Sequence, residues 1–169
     1  DIVRFFASRN PFILCKRVKH AKILYEMFKR EKEDVEMYTE SQKVYRSSAR
    51  ILISTYSKGG VGFNNKKLDM LIVAGDVSNN NGEGYFVQYL GRVFRRDYPP
   101  LIIDFSDSLY SFKKHLQERI IVYCQVGGEV KDFDMINPEF RKWRDGRYFN
   151  PPDDLINDNM KLLEADIIQ

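Results

Sequence analysis

Residues 83–96, Glu83-Gly84-Tyr85-Phe86-Val87-Gln88-Tyr89-Leu90-Gly91-Arg92-Val93-Phe94-Arg95-Arg96, decide how the chain folds. Phe86, Val87, Leu90, Val93 and Phe94 recur at helical spacing, which predicts a helix with one apolar face. Short apolar, β-rich runs flank it at Met70–Ala74 and Leu101–Phe105. Asp97-Tyr98-Pro99-Pro100 stops the helix before the second run. Strand, helix and strand in succession form a crossover, and strands joined by crossovers lie parallel. The alternation continues upstream, with strands predicted at Phe12–Cys15, Val35–Thr39 and Ile51–Thr55. A helix over Lys19–Arg30 is predicted to carry Ile23, Leu24, Met27 and Phe28 as its apolar stripe. Downstream, Phe112, Leu116, Ile120 and Tyr123 mark a helix from Ser111 to Cys124. Gly127-Gly128 ends it, and Val130–Phe133 reads as an edge strand. The fold class is α/β: a mostly parallel sheet with helices on both faces. In such sheets ligands bind beyond the carboxyl ends of the strands, so the loops after Cys15, Thr55, Ala74 and Phe105 are the candidate site.

Inside the deciding stretch, Gln88, Gly91, Arg92 and Arg95 spell Q-x-x-G-R-x-x-R. Arg92 and Arg95 project from nearly the same side of a helix. Two guanidiniums that close repel unless an anion lies between them, and a transferring phosphoryl group is such an anion. The bland alternative is a solvated basic edge that also includes Arg96. A second constellation begins where the Ile51–Thr55 strand ends in two hydroxyls, Ser54 and Thr55, and runs into Tyr56-Ser57-Lys58-Gly59-Gly60-Val61-Gly62-Phe63-Asn64. Glycines there either form a tight turn or let backbone N–H groups approach a phosphate, and Lys58 adds a cation. The phosphate-cradling G-K-[ST] loop is absent from the sequence, and the spacing does not fit the dinucleotide fingerprint.

Bulk properties bound the rest. The chain has 169 residues, 43% of them hydrophobic and 14% aromatic, enough for one domain with a full core or one lobe of something larger. Without an apolar run of about 20 residues or an N-terminal leader pattern, the reading is a soluble, non-secreted protein with no membrane partner. A first residue other than Met reads as an excised fragment. Cys15 and Cys124 lack zinc spacing and point to a reducing, cytoplasmic setting. His20 and His115 read as ordinary helix or surface residues, with no metal site. Residues 1–149 hold 26 Lys/Arg against 19 Asp/Glu, a basic body that favours a polyanionic partner, whereas residues 150–169 hold one Lys against five acids.

With those residues in view, the chain resembles the second, C-terminal RecA-like domain of a superfamily 2 helicase, a P-loop NTPase-like fold. Pro11–His20, with Lys16-Arg17 after the strand, resembles motif IV. Ser54–Asp69, including Gly62, Leu68 and Asp69, resembles motif V, and Gln88–Arg95 resembles motif VI. The Asp104–Asp134 region is similar to the transcript-release helicases of large cytoplasmic DNA viruses, which places the protein in host cytoplasm or virion. The resemblance divides the chain into a RecA-like domain, residues 1–136, and a C-terminal extension, residues 137–169. That extension is basic and aromatic first (Arg141, Lys142, Trp143, Arg144, Arg147, Tyr148), then acidic, with a helix expected over Pro152–Ile168.

The resemblance also implies roles. Arg95 would be the arginine finger, a group contributing ~10³–10⁵ in rate. Arg92 would bind phosphate or stabilise the same charge, and Gln88 would join nucleotide state to domain closure. Gly62 and Asn64 would approach the nucleotide. Thr55 and Lys58, with Lys16 or Arg17, would meet nucleic-acid phosphates, DNA in preference to RNA. ATP and Mg²⁺ would be held mainly by a first RecA-like domain of the same protein, so this chain alone would hydrolyse no ATP. The sequence departs from the family at Asn64, where Asp is common, and at Lys66, where Pro is usual. Glu40–Arg50 is also short for the helix commonly found there, which leaves contacts by Gln42 or Arg46 unassigned. The contrasting readings are an inert RecA-like module that docks nucleic acid or protein, and a Rossmann-like enzyme using the Gly59–Gly62 loop.

Overall fold

The computed structural model describes residues 1–60, 64–78, 85–94, 99–105 and 109–130. The chain divides into two compact units, Arg9–Arg119 and a second that joins Asp1–Ser8 to the chain from Ile120 onward. In chain order the elements are α1 (Ile2–Phe5), β1 (Pro11–Cys15), α2 (Val18–Arg30), β2 (Val35–Tyr38), β3 (Ile51–Thr55), α3 (Tyr56–Gly59), β4 (Met70–Val73), α4 (Tyr85–Leu90), β5 (Leu101–Asp104) and α5 (Tyr110–Gln125).

The five strands form one sheet in the order β2-β3-β1-β4-β5, with every pairing parallel. Register sets Phe12 between Leu52 and Leu71, and Met70 beside Leu101. The three inner strands, PFILC, ILIST and MLIV, are buried at every position, as a sheet covered on both faces requires. The outer strands VEMY and LIID are buried only in part. Each fully buried Leu, Ile or Phe of the inner strands contributes about 1.5–3 kcal/mol. The β1→β2 crossover runs along the sheet in one direction and β4→β5 in the other. Right-handed crossovers therefore put α2 and α4 on opposite faces.

The strands and helices α2 and α5 match the sequence reading to within a residue or two; the short helices α1 and α3 were not expected, and three further differences follow. The α2 stripe is displaced: Ala21 is buried and Leu24 and Phe28 half-buried, whereas Ile23 and Met27 stand 51% and 55% exposed. The helix lies across β1, β2 and β3, and a face narrowed to Ala21, Leu24 and Phe28 suits that contact. Second, of the helix expected over Glu83–Arg96, the described residues are regular from Tyr85 to Leu90 and leave the α-helix from Gly91 to Phe94. Arg92 N and Val93 N then bond back to Tyr89 O and Leu90 O at 3.1 and 2.9 Å, the tightened geometry of a helix end. Third, Val130 is not in a strand, and 131–133 lie outside the described residues, as do the basic cluster, the acidic end and the predicted helix over Pro152–Ile168.

Helix α5 ends as expected. Gly127 takes φ +81°, Gly128 N donates to Tyr123 O at 2.8 Å and Gly127 N to Cys124 O at 2.9 Å, a Schellman closure. Helix α2 closes with the same pair of bonds, Glu33 N to Phe28 O and Lys32 N to Lys29 O, both 3.0 Å. There the left-handed position, φ +59°, is filled by Lys32.

The amino-terminal ends of all five strands are stitched together by polar contacts in sheet order. Arg50, ahead of β3, reaches Glu33 ahead of β2 at 2.8 Å and donates to Arg9 O at 3.1 Å. Asn10 N, ahead of β1, donates to Asp69 Oδ1 ahead of β4 at 2.6 Å, and Leu101 N of β5 donates to Asp69 O at 3.1 Å. Arg9 lies 3.9 Å from Asp69 Oδ2 and donates to Pro99 O at 3.2 Å. Asp69 is 1% exposed. Its carboxylate belongs to this belt, at the end of the sheet opposite the carboxyl edge.

Candidate functional site

The carboxyl edge collects most of the sequence candidates. β1 delivers Lys16 and Arg17 there, both exposed, with Arg17 capping α2 in an extended conformation. β3 ends at Thr55, which becomes the N-cap of α3 and accepts from Lys58 N at 3.4 Å. The glycine-rich stretch therefore opens as one helical turn. A Cβ on Gly59 would lie 2.6 Å from Leu14 Cδ2 and 3.0 Å from Phe12 Cζ. At Gly59 the missing Cβ lets α3 press onto β1, in keeping with the tight-turn alternative for that glycine. Gly62 and the remainder of the loop, residues 61–63, lie outside the described residues, and Asn64 is exposed.

Three segments are fastened at this edge. Tyr89 of α4 donates its phenol to Tyr56 O at 2.7 Å, and the two rings sit 5.5 Å apart. Tyr56 donates in turn to Gly75 O, beyond β4, at 2.6 Å. Arg92 Nη2 donates to Gly60 O at 2.8 Å. The Tyr56 phenol is raised well above its ordinary value, first by burial, so it stays a neutral donor. Arg92 also acts on Tyr45, whose phenol is raised by burial and by Tyr38 while Arg92 pulls the other way. One arginine of the Q-x-x-G-R-x-x-R pattern is thus anchored to the turn after β3. Gln88 is exposed on α4, and Arg95 lies outside the described residues.

A carboxylate absent from the sequence candidates lies on the β2–β3 side of the edge. Glu40, two residues past β2, accepts from Thr55 Oγ1 at 2.6 Å and from the Ser57 hydroxyl. Burial works to raise its pKa, but the Ser57 and Thr55 hydroxyls, with the charge of Lys58, outweigh it and hold the carboxyl below its usual range. Lys58 Nζ lies 4.6 Å from the centre of the Tyr38 ring. Gln42 and Arg46 are committed locally: Gln42 Oε1 accepts from Thr39 N at 2.8 Å, and Arg46 pairs with Asp34 at 2.6 Å. No helix forms between β2 and β3.

On the β4–β5 side, Arg119 of α5 is 1% exposed and grips Asp104 with two bonds of 2.7 and 3.0 Å. It also reaches Asp76 at 3.3 Å and Val77 O at 2.6 Å, and His115 Nδ1 lies 2.6 Å from Asp76 Oδ2. His115, expected to be an ordinary helix residue, here pins the loop that leads toward α4. Among the described residues there is no cluster of three His, Cys, Asp or Glu able to hold a metal. Cys15 and Cys124 are free; burial pushes the Cys15 thiol up to about 12, which keeps it inert.

No family model matches the chain. A protein of Invertebrate iridescent virus 6 named "Putative helicase 161L" is 35% identical over 157 residues, 80% of this chain and 34% of that protein. "Uncharacterized protein 108L" of Invertebrate iridescent virus 3 is 42% identical over 90 residues, 53% of this chain and 82% of that protein. "Putative helicase 055L" of Frog virus 3 is 33% identical over 120 residues, 70% of this chain and 26% of that protein. Among solved structures, the C-terminal domain of the DEAD-box protein Dbp5 superposes with TM-score 0.56 at 15% identity, over 79% of this chain and 82% of that one. The chain has the RecA-like fold of a helicase C-terminal domain, and its sequence is similar to two viral proteins named as helicases. A variant of S. cerevisiae Dbp5 bound to RNA and ADP BeF3 has the same fold, with TM-score 0.58 at 14% identity, over 95% of this chain and 40% of that one.

The chain spans about a third or less of the two relatives named as helicases. The described parts of the segments resembling motifs IV, V and VI reach the carboxyl edge, except that Leu68 and Asp69 serve the core and the opposite belt. Sequence reasoning missed Glu40, Tyr89 and the Arg119 cluster. Tyr89 sits inside the deciding stretch, one residue past Gln88, and a phenol at that spacing was the available signal. No helix among the described residues is long and apolar enough to cross a membrane.

Proposed function

We propose that this chain is the C-terminal motor lobe of an ATP-dependent helicase or translocase, with DNA as the favoured track and the viral transcript-release helicases as its subgroup. The carrying observation is the fastening of the Thr55–Gly60 turn to the arginine helix through Tyr89 and Arg92. A motor needs its track-binding turn and its nucleotide-facing arginines to move as one body. Two bonds of 2.7 and 2.8 Å between those segments meet that need.

In this reading Thr55, Lys58, Lys16 and Arg17 bind backbone phosphates, which fixes position without reading sequence. Arg95 completes an ATP·Mg²⁺ site built by the first RecA-like domain, where it stabilises charge on the transferring phosphoryl group. Gln88 and Asn64 face the same cleft, with Gly62 giving the backbone close approach. Arg92, anchored by Gly60, transmits the state of that cleft to the turn after β3. ATP and Mg²⁺ supply the phosphoryl chemistry; this lobe supplies positioning and positive charge.

The test is Arg95→Ala in a protein carrying this lobe joined to its nucleotide-binding lobe. ATPase falls by about 10³-fold or more, while nucleic-acid affinity stays within a factor of two or so. Retained turnover overturns the finger assignment. The 169-residue chain alone shows no ATP turnover and binds nucleotide weakly.

A further inference from the structure

Hydroxyl and ammonium groups that would receive a phosphate on the turn after β3 are already occupied, and their occupants come from one place. Thr55 and Ser57 each have a single hydroxyl proton, and both are directed at Glu40 Oε1. Lys58 Nζ rests against the ring of Tyr38 and within the field of Glu40. Tyr38 ends β2, and Glu40 follows it by two residues. Thr55 is 2% exposed, so its hydroxyl is buried beneath this arrangement. Glu40 itself is exposed and free to swing outward by side-chain rotation. The β2 end thus presents a carboxylate in the role a nucleic-acid phosphate would take: an anionic oxygen accepting from two hydroxyls beside a lysine.

We infer that Glu40 is an affinity-setting gate at the phosphate site, a resident carboxylate that must leave before a nucleic-acid phosphate engages Thr55, Ser57 and Lys58. This rests on the reading of Thr55 and Lys58 as phosphate contacts. Two consequences separate a gate from a mere orienting residue. Removing its charge strengthens binding, because a competitor and a like-charge repulsion vanish together. The gain also depends on the hydroxyl that Glu40 releases.

The experiment titrates the 169-residue chain into fluorescein-labelled (dT)20 at low salt, following anisotropy, with Glu40→Gln, Glu40→Ala, Thr55→Val, Lys58→Ala and the Glu40→Gln/Thr55→Val pair. Circular dichroism and urea midpoints confirm that each is folded. Both Glu40 variants tighten binding by roughly two- to fivefold, the scale of one exposed charge contact. The gain shrinks as salt rises. In the double variant the gain is lost. Glu40 variants that bind no tighter than wild type, while Lys58→Ala weakens binding, overturn the gate and leave the phosphate-site reading standing. Wild-type affinity unaltered by both Thr55→Val and Lys58→Ala overturns the phosphate-site reading itself, and the gate with it.

Discussion

The two ends of the sheet use the same kinds of residue for opposite purposes. At the amino-terminal end, Arg9, Arg50 and Asp69 close on one another and on backbone groups, so charges are consumed within the fold. At the carboxyl end, Lys16 and Arg17 stand exposed, Thr55 and Ser57 donate to the exposed Glu40, and Lys58 lies over the Tyr38 ring. A polar group satisfied by backbone in the interior is expensive to remove, because its partner is left unpaired. One satisfied by an exposed side chain is cheap to exchange. The contrast sets a base whose charges are spent within the fold against an edge whose polar groups face solvent or one exposed carboxylate.

The largest effect is expected where the carboxyl edge stops behaving as a working surface. Arg119 is buried and bidentate on Asp104, with further bonds to Asp76 and Val77 O. Arg119→Ala leaves buried carboxylates without their cation and costs about 3–5 kcal/mol in urea unfolding. A loss below about 1 kcal/mol, the surface-pair scale, would mean that the β4–β5 side is as exchangeable as the β2–β3 side.

Next comes the base. Asp69→Asn keeps the side chain's shape but removes the charge facing Arg9, and Asn10 N loses a carboxylate acceptor. The expected cost is about 1–3 kcal/mol, with affinity for (dT)20 unchanged once the protein is folded. Weakened binding by a folded Asp69→Asn chain would break the division between the two ends.

How much of this was legible follows from what each feature depends on. The inner strands were readable because sheets covered on both faces demand continuous apolar runs, and Ile51–Thr55 appears with the bounds expected. The stop of α5 was readable because only glycine enters the left-handed region without strain, and Gly127 does so. Ile23 and Met27 were misassigned because spacing gives a stripe's periodicity but not its width. Glu40 was invisible for a different reason: its partners lie 15 and 17 residues away, at the end of β3 and in α3, and nothing local in Thr39-Glu40-Ser41 records that parallel register. The belt had the same difficulty, since Asn10 and Asp69 meet across a separation of 59 residues.

A smaller, favourable effect sharpens the comparison. Lys32 holds φ +59° at the close of α2, just ahead of β2, while the matching position of α5 is Gly127. A side chain there costs about 1–2 kcal/mol, partly offset by the backbone freedom glycine loses on folding. Lys32→Gly therefore raises stability by roughly 0.5–1 kcal/mol. Strain at a functional site is removed at the expense of activity, but strain at the static end should be removable without effect on (dT)20 affinity. A stabilised chain with altered binding would give the amino-terminal side a functional part.

The smallest effect sets one carboxylate from each end against the other. Asp34 is lowered first by its bond to Arg46 and further by the Arg50 N–H, and Glu40 is lowered by the hydroxyls of Ser57 and Thr55 despite burial. Both folded-state values lie below the unfolded ones. Each group therefore adds stability that is complete above the unfolded carboxylate range and is lost as pH falls through the folded value, between roughly pH 5 and pH 2. Both are largely exposed, so each contribution is well under ~1 kcal/mol. Asp34→Asn and Glu40→Gln should each flatten the acid limb of a urea-midpoint profile slightly. With excess (dT)20 present above pH 5, bound phosphate takes the Thr55 and Ser57 hydroxyls from Glu40. Glu40→Gln then no longer lowers the midpoint, whereas Asp34→Asn lowers it by the same amount with or without the oligonucleotide. Equal behaviour of the two variants toward (dT)20 would mean that both carboxylates are structural and that the edge after β3 is not where the track binds.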